Sequence, residues 1–194
     1  MSSAQHLLKR VVDLLIGLPL ALVSLPIVLL LILLASLSTA QFGLFCQHRI
    51  GRHGKGFKLC KIRSLKGSDH LDVREMKRAT APFGKWLRNS KLDELPQLWQ
   101  VVIGQMSLVG PRPDIPGYAD QLQGEDRLIL ELRPGITGPA SIKYKQEDTL
   151  LLSQEDPNAY NNEVIWPDKV RINKSYYQNW SLWTDFRYLW QSLI

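Results

Sequence analysis

Acidic residues are missing from the whole of residues 47–66, cysteine occurs only twice, and the four histidines are scattered. Two cysteines, Cys46 and Cys60, make no metal-type spacing and no disulfide framework, and they read as lone thiols of a reducing compartment. The scattered histidines supply neither a zinc motif nor a Ser/His/Asp set. No glycine pattern matches a phosphate loop or a dinucleotide-binding turn, and there is no internal repeat and no low-complexity segment. A mean hydropathy of -0.12 excludes a polytopic membrane protein, so membrane contact must be local. What is present is an excess of base. The net charge of +6 over 194 residues, with 45% apolar residues, points to one domain with a real core and to anionic partners.

From Leu14 to Ala40 no residue carries a charge. As one straight helix this run is about 40 Å long, more than the ~30 Å hydrocarbon core, and it is too long for a signal peptide. An ordinary spanning helix is one reading. Two features favour a re-entrant one. Pro26 removes a backbone donor in mid-run, Ser24 can ease the bend with a local hydrogen bond, and the two halves of about 16 and 22 Å cannot span alone. Both flanks are also basic, with Lys9 and Arg10 before the run and Arg49 to Lys66 after it, which places both ends on the cytoplasmic side. The anchor is taken as residues 1–45 and the remaining domain as 46–194.

Arg49 to Ile62 alternates with period two around Gly51, Gly54 and Gly56 and reads as a hairpin with one charged face. Residues 69–80 read as a short helix or ordered loop, and Phe83–Arg88 as an amphipathic turn. Asp93–Ile103 reads as a helix that Pro96 forces to begin near Lys91–Glu94. Helical stretches follow near Tyr118–Leu132 and across Asn158–Asn179, the latter interrupted at Pro167. The tail from Ser181 has the spacing of an amphipathic helix rich in tryptophan, suited to a membrane interface or to core packing.

Asp93 and Glu94 are adjacent acids at a helix start. Ser90, three residues earlier, would complete a capping box, which is the structural reading. The catalytic reading is a carboxylate kept ionised by Arg88 and Lys91, able to attack phosphorus or to share Mg²⁺ with a diphosphate. Arg112 sits between Pro111 and Pro113, so little freedom is lost when its guanidinium grips a phosphate. Arg133-Pro134-Gly135-Ile136-Thr137-Gly138 is a cation followed by a turn whose N–H groups could line an anion site.

Each motif is weak alone, but their order is specific. Lys9-Arg10-Val11-Val12-Asp13, Gln47-His48-Arg49-Ile50-Gly51 and Phe57 to Arg63 are followed by Lys91-Leu92-Asp93-Glu94-Leu95-Pro96-Gln97-Leu98. Met106 to Pro113 and Arg133 to Gly138 complete the series. With these the chain resembles the monotopic phosphoglycosyl transferases, the bacterial sugar transferase family, from about Lys9 to the C-terminus and at the length of its minimal catalytic version. The resemblance implies an α+β, mostly helical fold, with a re-entrant N-terminal membrane helix and a compact cytoplasmic catalytic domain carrying a small β-hairpin and interfacial amphipathic helices. It implies a bacterial inner-membrane enzyme that moves a sugar-1-phosphate from a UDP-sugar to polyprenyl phosphate and releases UMP, the first membrane step of glycoconjugate assembly. Asp93 would be the covalent nucleophile and a Mg²⁺ ligand, and Glu94 its assistant. Lys61, Arg88, Arg112, Arg133 and Thr137 would bind phosphate or shape the pocket, and Ser24 and Pro26 would form the membrane bend. The chain departs from the family's pattern at Ser24-Leu25-Pro26, where an adjacent Ser-Pro is usual, and at Gln105, Pro139, Ser141 and Lys174.

The rival reading is a membrane-associated adaptor of the same fold without catalysis. No nucleic-acid-binding motif appears, so nucleic acid is not an expected partner. Membrane lipids are, and homo-oligomerisation stays open.

Overall fold

The uncharged run forms the bulk of one helix, α1 (Ser3–Thr39), in the computed structural model of the chain, which describes residues 1–67 and 79–193. Ser2 and Gln5 close a reciprocal cap at its start, and Ala40 ends it in the left-handed region at φ 55°. The helix is unbroken through Pro19 and Pro26. Ser24 does make a local hydrogen bond, donating to the carbonyl of Ala21 at 3.2 Å.

One stripe of α1 is buried along its whole length: Lys9, Asp13, Gly17, Ala21, Ser24, Val28, Leu31, Ala35 and Thr39. That spacing of three to four residues is one helix face. The other faces expose leucine, valine and isoleucine from Leu7 to Leu37. The stripe packs on the rest of the chain. Gly17 lets Val101 approach, since a Cβ there would lie 3.1 Å from Val101 Cγ1. The charged residues ahead of the run are used internally. Lys9 Nζ donates to Asp185 at 2.6 Å with both side chains buried. Arg10 donates to the carbonyls of Val101 and Val102, and Asp13 accepts from Ser107 Oγ at 3.0 Å and Leu108 N–H at 2.9 Å. Lys9 and Arg10 are therefore tethers within the fold, where sequence reading shows only the charge of a cytoplasmic flank.

The chain then doubles back at Gly43, whose backbone lies against the Ile32 carbonyl so closely that a Cβ would meet it at 1.9 Å. Strands β1 (Leu44–Ile50) and β2 (Gly56–Ile62) pair antiparallel as the expected hairpin, with Phe45 opposite Lys61. The register also sets Cys46 opposite Cys60, Cα atoms 4.1 Å apart, and the two form a disulfide. This corrects the reading of two lone thiols. A sequence separation of 14 carries no local motif, and only the register of opposed residues brings the pair together.

Residues 68–78 lie outside the described residues, and with them most of the helix or loop expected over 69–80. Helix α2 (Pro82–Asn89) starts on a proline and buries Leu87 against Leu31, Ala35 and Ile62. A 3₁₀ turn (Leu92–Glu94) and helix α3 (Gln97–Val102) replace the single helix expected over Asp93–Ile103. Pro96 is the reason, since its ring admits only a first-turn position.

Strand β3 (Ser107–Val109) pairs in parallel with β4 (Gly135–Thr137), a pair too short to read from sequence. Between them, 3₁₀ turns at Ala119–Gln121 and Gly124–Glu131 occupy the stretch expected to be helical. After β4 come α4 (Pro139–Lys143), α5 (Glu147–Leu152), α6 (Pro157–Tyr160) and α7 (Trp166–Gln178). A π-helical turn over Asn161–Ile165 joins α6 to α7 just ahead of Pro167, so the widened turn absorbs the proline that the sequence placed as an interruption. The tail forms α8 (Leu182–Leu193), with Asp185 buried and Trp183, Phe186 and Trp190 exposed. The central core gathers Ala21, Leu98, Val101, Met106, Leu108 and Val109 with Tyr176 and Trp180. The fold is α+β and mostly helical.

Candidate active site

Asp93 is 7% exposed, on the tight turn between α2 and α3. Lys91 enters that turn in the left-handed region at φ 55°, which turns the acid pair inward. Ser90 does not cap it. Its hydroxyl donates back to the carbonyls of Trp86 and Leu87 at the end of α2. The capping-box reading fails on that geometry, and the Asp93 carboxyl takes a backbone hydrogen bond from its own N–H instead.

Three of the expected cations converge here. Lys61, at the end of β2, and Arg88, at the end of α2, both pull the Asp93 carboxyl down. Burial and the charge of Glu94 outweigh them and push it up to about 6. The sequence suggested a carboxylate held ionised by its cations; desolvation reverses the direction. Lys61 is itself depressed, first by burial, with Asp93 opposing and Arg112, Arg88 and Arg49 adding to the depression. Arg112 Nη1 stands 4.0 Å from Glu94 Oε1, with the arginine side chain 59% exposed. Arg88 also lies 3.5 Å from Asp148 of α5.

The other two expected residues have different surroundings. Arg133 donates from Nε to the carbonyl of Gly104 at 2.9 Å, and the charges acting on it are Arg52, Arg10 and Asp13. Thr137 is buried in β4, its carbonyl accepting Gly110 N–H at 2.8 Å. The Arg133–Gly138 segment is a brace for the arginine loop. Ser107 N–H donates to Pro134, and Gly135 N–H to Pro111. The glycines permit the contact: a Cβ on Gly135 would lie 2.1 Å from Gly110 N, and one on Gly138 2.1 Å from Gly110 O. The expected anion-binding N–H of Gly135 is thus already engaged.

Gln105 also has an internal task. It accepts from Gln100, which in turn bonds Lys58 O and Cys60 N–H and fixes the hairpin to α3. Lys174 pairs with Asp126 at 2.7 Å, and Pro139 opens α4.

Sequence reading missed the cavity next to the acid pair. Of about 860 Å³, it is lined by Lys61, Arg49, Asp114, Tyr118, Trp166 and Lys169, among others. Asp93 is not on its wall, and Lys61 is the link between the two. Asp114 follows the Pro-Arg-Pro turn directly, which is the one signal that pointed there. Among the described residues no group of three or more His, Cys, Asp or Glu side chains could hold a metal unaided. Asp93 and Glu94 give two carboxylates, a set that suits Mg²⁺ when substrate phosphates complete the shell.

Residues 4–194 match the bacterial sugar transferase family. The chain belongs to that family. It is 30% identical to the UDP-galactose-lipid carrier transferase of Erwinia amylovora, over 98% of this chain and 40% of the relative. It is 31% identical to the UDP-glucose:undecaprenyl-phosphate glucose-1-phosphate transferase of Escherichia coli K12, over 96% of this chain and 39% of the relative. The protein of the same description from Caulobacter vibrioides is 31% identical, over 95% of this chain and 67% of the relative. The chain therefore spans about two fifths of the length of the first two of these curated relatives.

Proposed function

We propose that this bacterial sugar transferase moves a sugar-1-phosphate from a UDP-sugar to polyprenyl phosphate, giving polyprenyl-diphosphate-sugar and UMP. The observation that carries the reading is the buried Asp93 carboxylate, with no capping role, beside Glu94 and faced by Lys61 and Arg88. An Asp93 oxygen attacks the phosphorus that bears the sugar, the bridging P–O bond breaks, and UMP leaves with the bridging oxygen. A phosphate oxygen of the lipid then attacks the same phosphorus and returns Asp93 to a free carboxylate. Lys61 and Arg88 hold the phosphoryl oxygens, and Arg112, braced from behind by β4, grips a neighbouring phosphate. Glu94 keeps Arg112 turned toward the site across 4.0 Å. Mg²⁺ on Asp93 and Glu94 would neutralise the diphosphate, and the repulsion between the paired acids favours such a cation.

The same reading places the chain on the cytoplasmic face of the bacterial inner membrane with α1 re-entrant. Support comes from the burial of α1 against the domain from Lys9 to Thr39, because a spanning helix would leave the domain at one end. Exposed apolar residues on α1 and α8 would face lipid.

The test is incubation with UDP-sugars, Mg²⁺ and undecaprenyl phosphate. Lipid-dependent UMP release, together with a sugar-phosphate adduct on the Asp93 peptide when lipid is withheld, is the expected result. Release without any trapped adduct would overturn the covalent route, and no release from any donor would overturn the transfer itself.

A further inference from the structure

The cavity beside Asp93 has a wall that the reaction above leaves without a task. Asp114 stands there, pinned to β1 because its backbone carbonyl accepts Ile50 N–H at 2.8 Å. Among the described residues none donates a hydrogen bond to its side chain, although Lys169, Arg49 and Arg112 all act on its charge. Burial pushes the carboxyl up to about 6 against those cations, with Glu147 adding to the rise. Lys169 is spent elsewhere, donating to both Glu147 oxygens at 2.6 and 2.7 Å. Arg49 donates to Gln47 through one Nη at 2.8 Å, and its Nε is buried without a partner.

A half-buried carboxylate on a cavity wall without protein donors is open to the hydroxyls of a ligand, and a buried guanidinium N–H without a partner is costly. Both side chains line one cavity wall, and one chemistry suits both. Vicinal hydroxyls donate to a carboxylate while their oxygens accept from an arginine. We propose that Asp114 and Arg49 form a hydroxyl-recognition pair that selects the donor substrate through a vicinal diol. This rests on the sugar-1-phosphate transfer proposed above. The diol belongs to the hexose or to the ribose of the nucleotide, since both carry one.

The test uses the full chain with Mg²⁺ and three donors: UDP-glucose, UDP-galactose and UDP-N-acetylgalactosamine. Asp114→Ala should raise KM for the best donor about 10- to 100-fold, the loss expected for a charged hydrogen bond, with the adduct on Asp93 still formed. Calorimetry with UMP and 2′-deoxy-UMP separates the two sources. Weakened UMP binding in Asp114→Ala, with 2′-deoxy-UMP bound equally by both proteins, assigns the pair to ribose. Unchanged UMP binding with a raised KM assigns it to the hexose. If KM and UMP affinity both stay at the values of the unmodified protein, the proposal is overturned. Should Asp114→Ala not fold, deoxy analogues offered to the unmodified enzyme decide the matter, and indifference to every missing hydroxyl overturns it equally. Absence of UMP release by the unmodified chain would instead sink the transfer reading, and the hydroxyl pair with it.

Discussion

Gly135 donates its backbone N–H to the carbonyl of Pro111 at 2.8 Å, so the loop that presents Arg112 is held in place by strand β4. Gly135→Ala would drive a Cβ to 2.1 Å from Gly110 N. We expect a destabilisation of roughly 1–3 kcal/mol or more, with turnover falling further than the remaining folded fraction explains. Thermal unfolding and UMP release on the same sample check this. A variant as stable and active as the parent would show that the brace is dispensable.

The two arginines of the matched motifs should separate in their readouts. Arg112→Lys keeps the charge and loses the planar fork at an exposed position whose one ion pair is the 4.0 Å approach to Glu94, so turnover should drop by an order of magnitude or more with stability unchanged. Arg133→Lys loses the bond to Gly104 O, so stability should fall by about 1 kcal/mol with turnover per folded molecule retained. The reverse pattern would return Arg133 to the site.

Asp93 carries a stability prediction of unusual sign. Its folded value, about 6, lies above its ordinary 3.8, so between those values the folded chain holds a proton that the unfolded chain has lost. Stability therefore falls as pH rises through that window, and the penalty is complete above about 6 and absent below about 4. Asp93→Asn should remove up to about 3 kcal/mol of this penalty at pH 7 in metal-free protein while abolishing turnover. Denaturant titration at pH 7 and pH 3.5 tests it, and equal effects at both would refute the linkage.

Burial and Glu94 raise the Asp93 carboxyl, and Lys61 opposes them. The acid limb of kcat/KM should lie near pH 6, with activity lost below it. Lys61→Met removes a charge that lowers the Asp93 value, so the limb should move to higher pH. A profile that only drops in height would assign Lys61 to binding alone.

Much of this was legible in the sequence because it depended on local chemistry. The hairpin read over Arg49 to Ile62, the amphipathic stretch Phe83–Arg88 and the tail helix each follow from period over a few residues, although β1 begins earlier, at Leu44. That Asp93, Glu94, Lys61, Arg88 and Arg112 would lie near one another could be expected from motif order. What stayed hidden depended on register and long-range contact. The Cys46–Cys60 pair needs the strand register, and the bracing role of Arg133–Gly138 needs the parallel pairing of β3 with β4. The upward shift of Asp93 needs its burial, which no count of neighbouring cations reveals.

The Lys9–Asp185 pair joins the two ends of the described chain. Asp185 accepts from Lys9, from Trp180 Nε1 at 3.2 Å and from Tyr176. Asp185→Asn would strand a buried ammonium, with an expected cost of about 3–5 kcal/mol. Lys9→Met combined with Asp185→Leu should recover part of that loss, as a thermal melt of the double variant would register. An additive double loss would show that the pair is not coupled.

The buried stripe of α1 makes the anchor an inseparable part of the folding unit. Ile62, Leu87, Val101 and Leu108 sit under that stripe or beside it, and Asp185 takes its only cationic partner among the described residues from it. A truncated fragment beginning at residue 46 would lay those side chains open to water and leave a carboxylate without its counter-ion. The membrane would act on this chain as a structural ligand, raising the melting temperature as it occupies the outer face of the same helix.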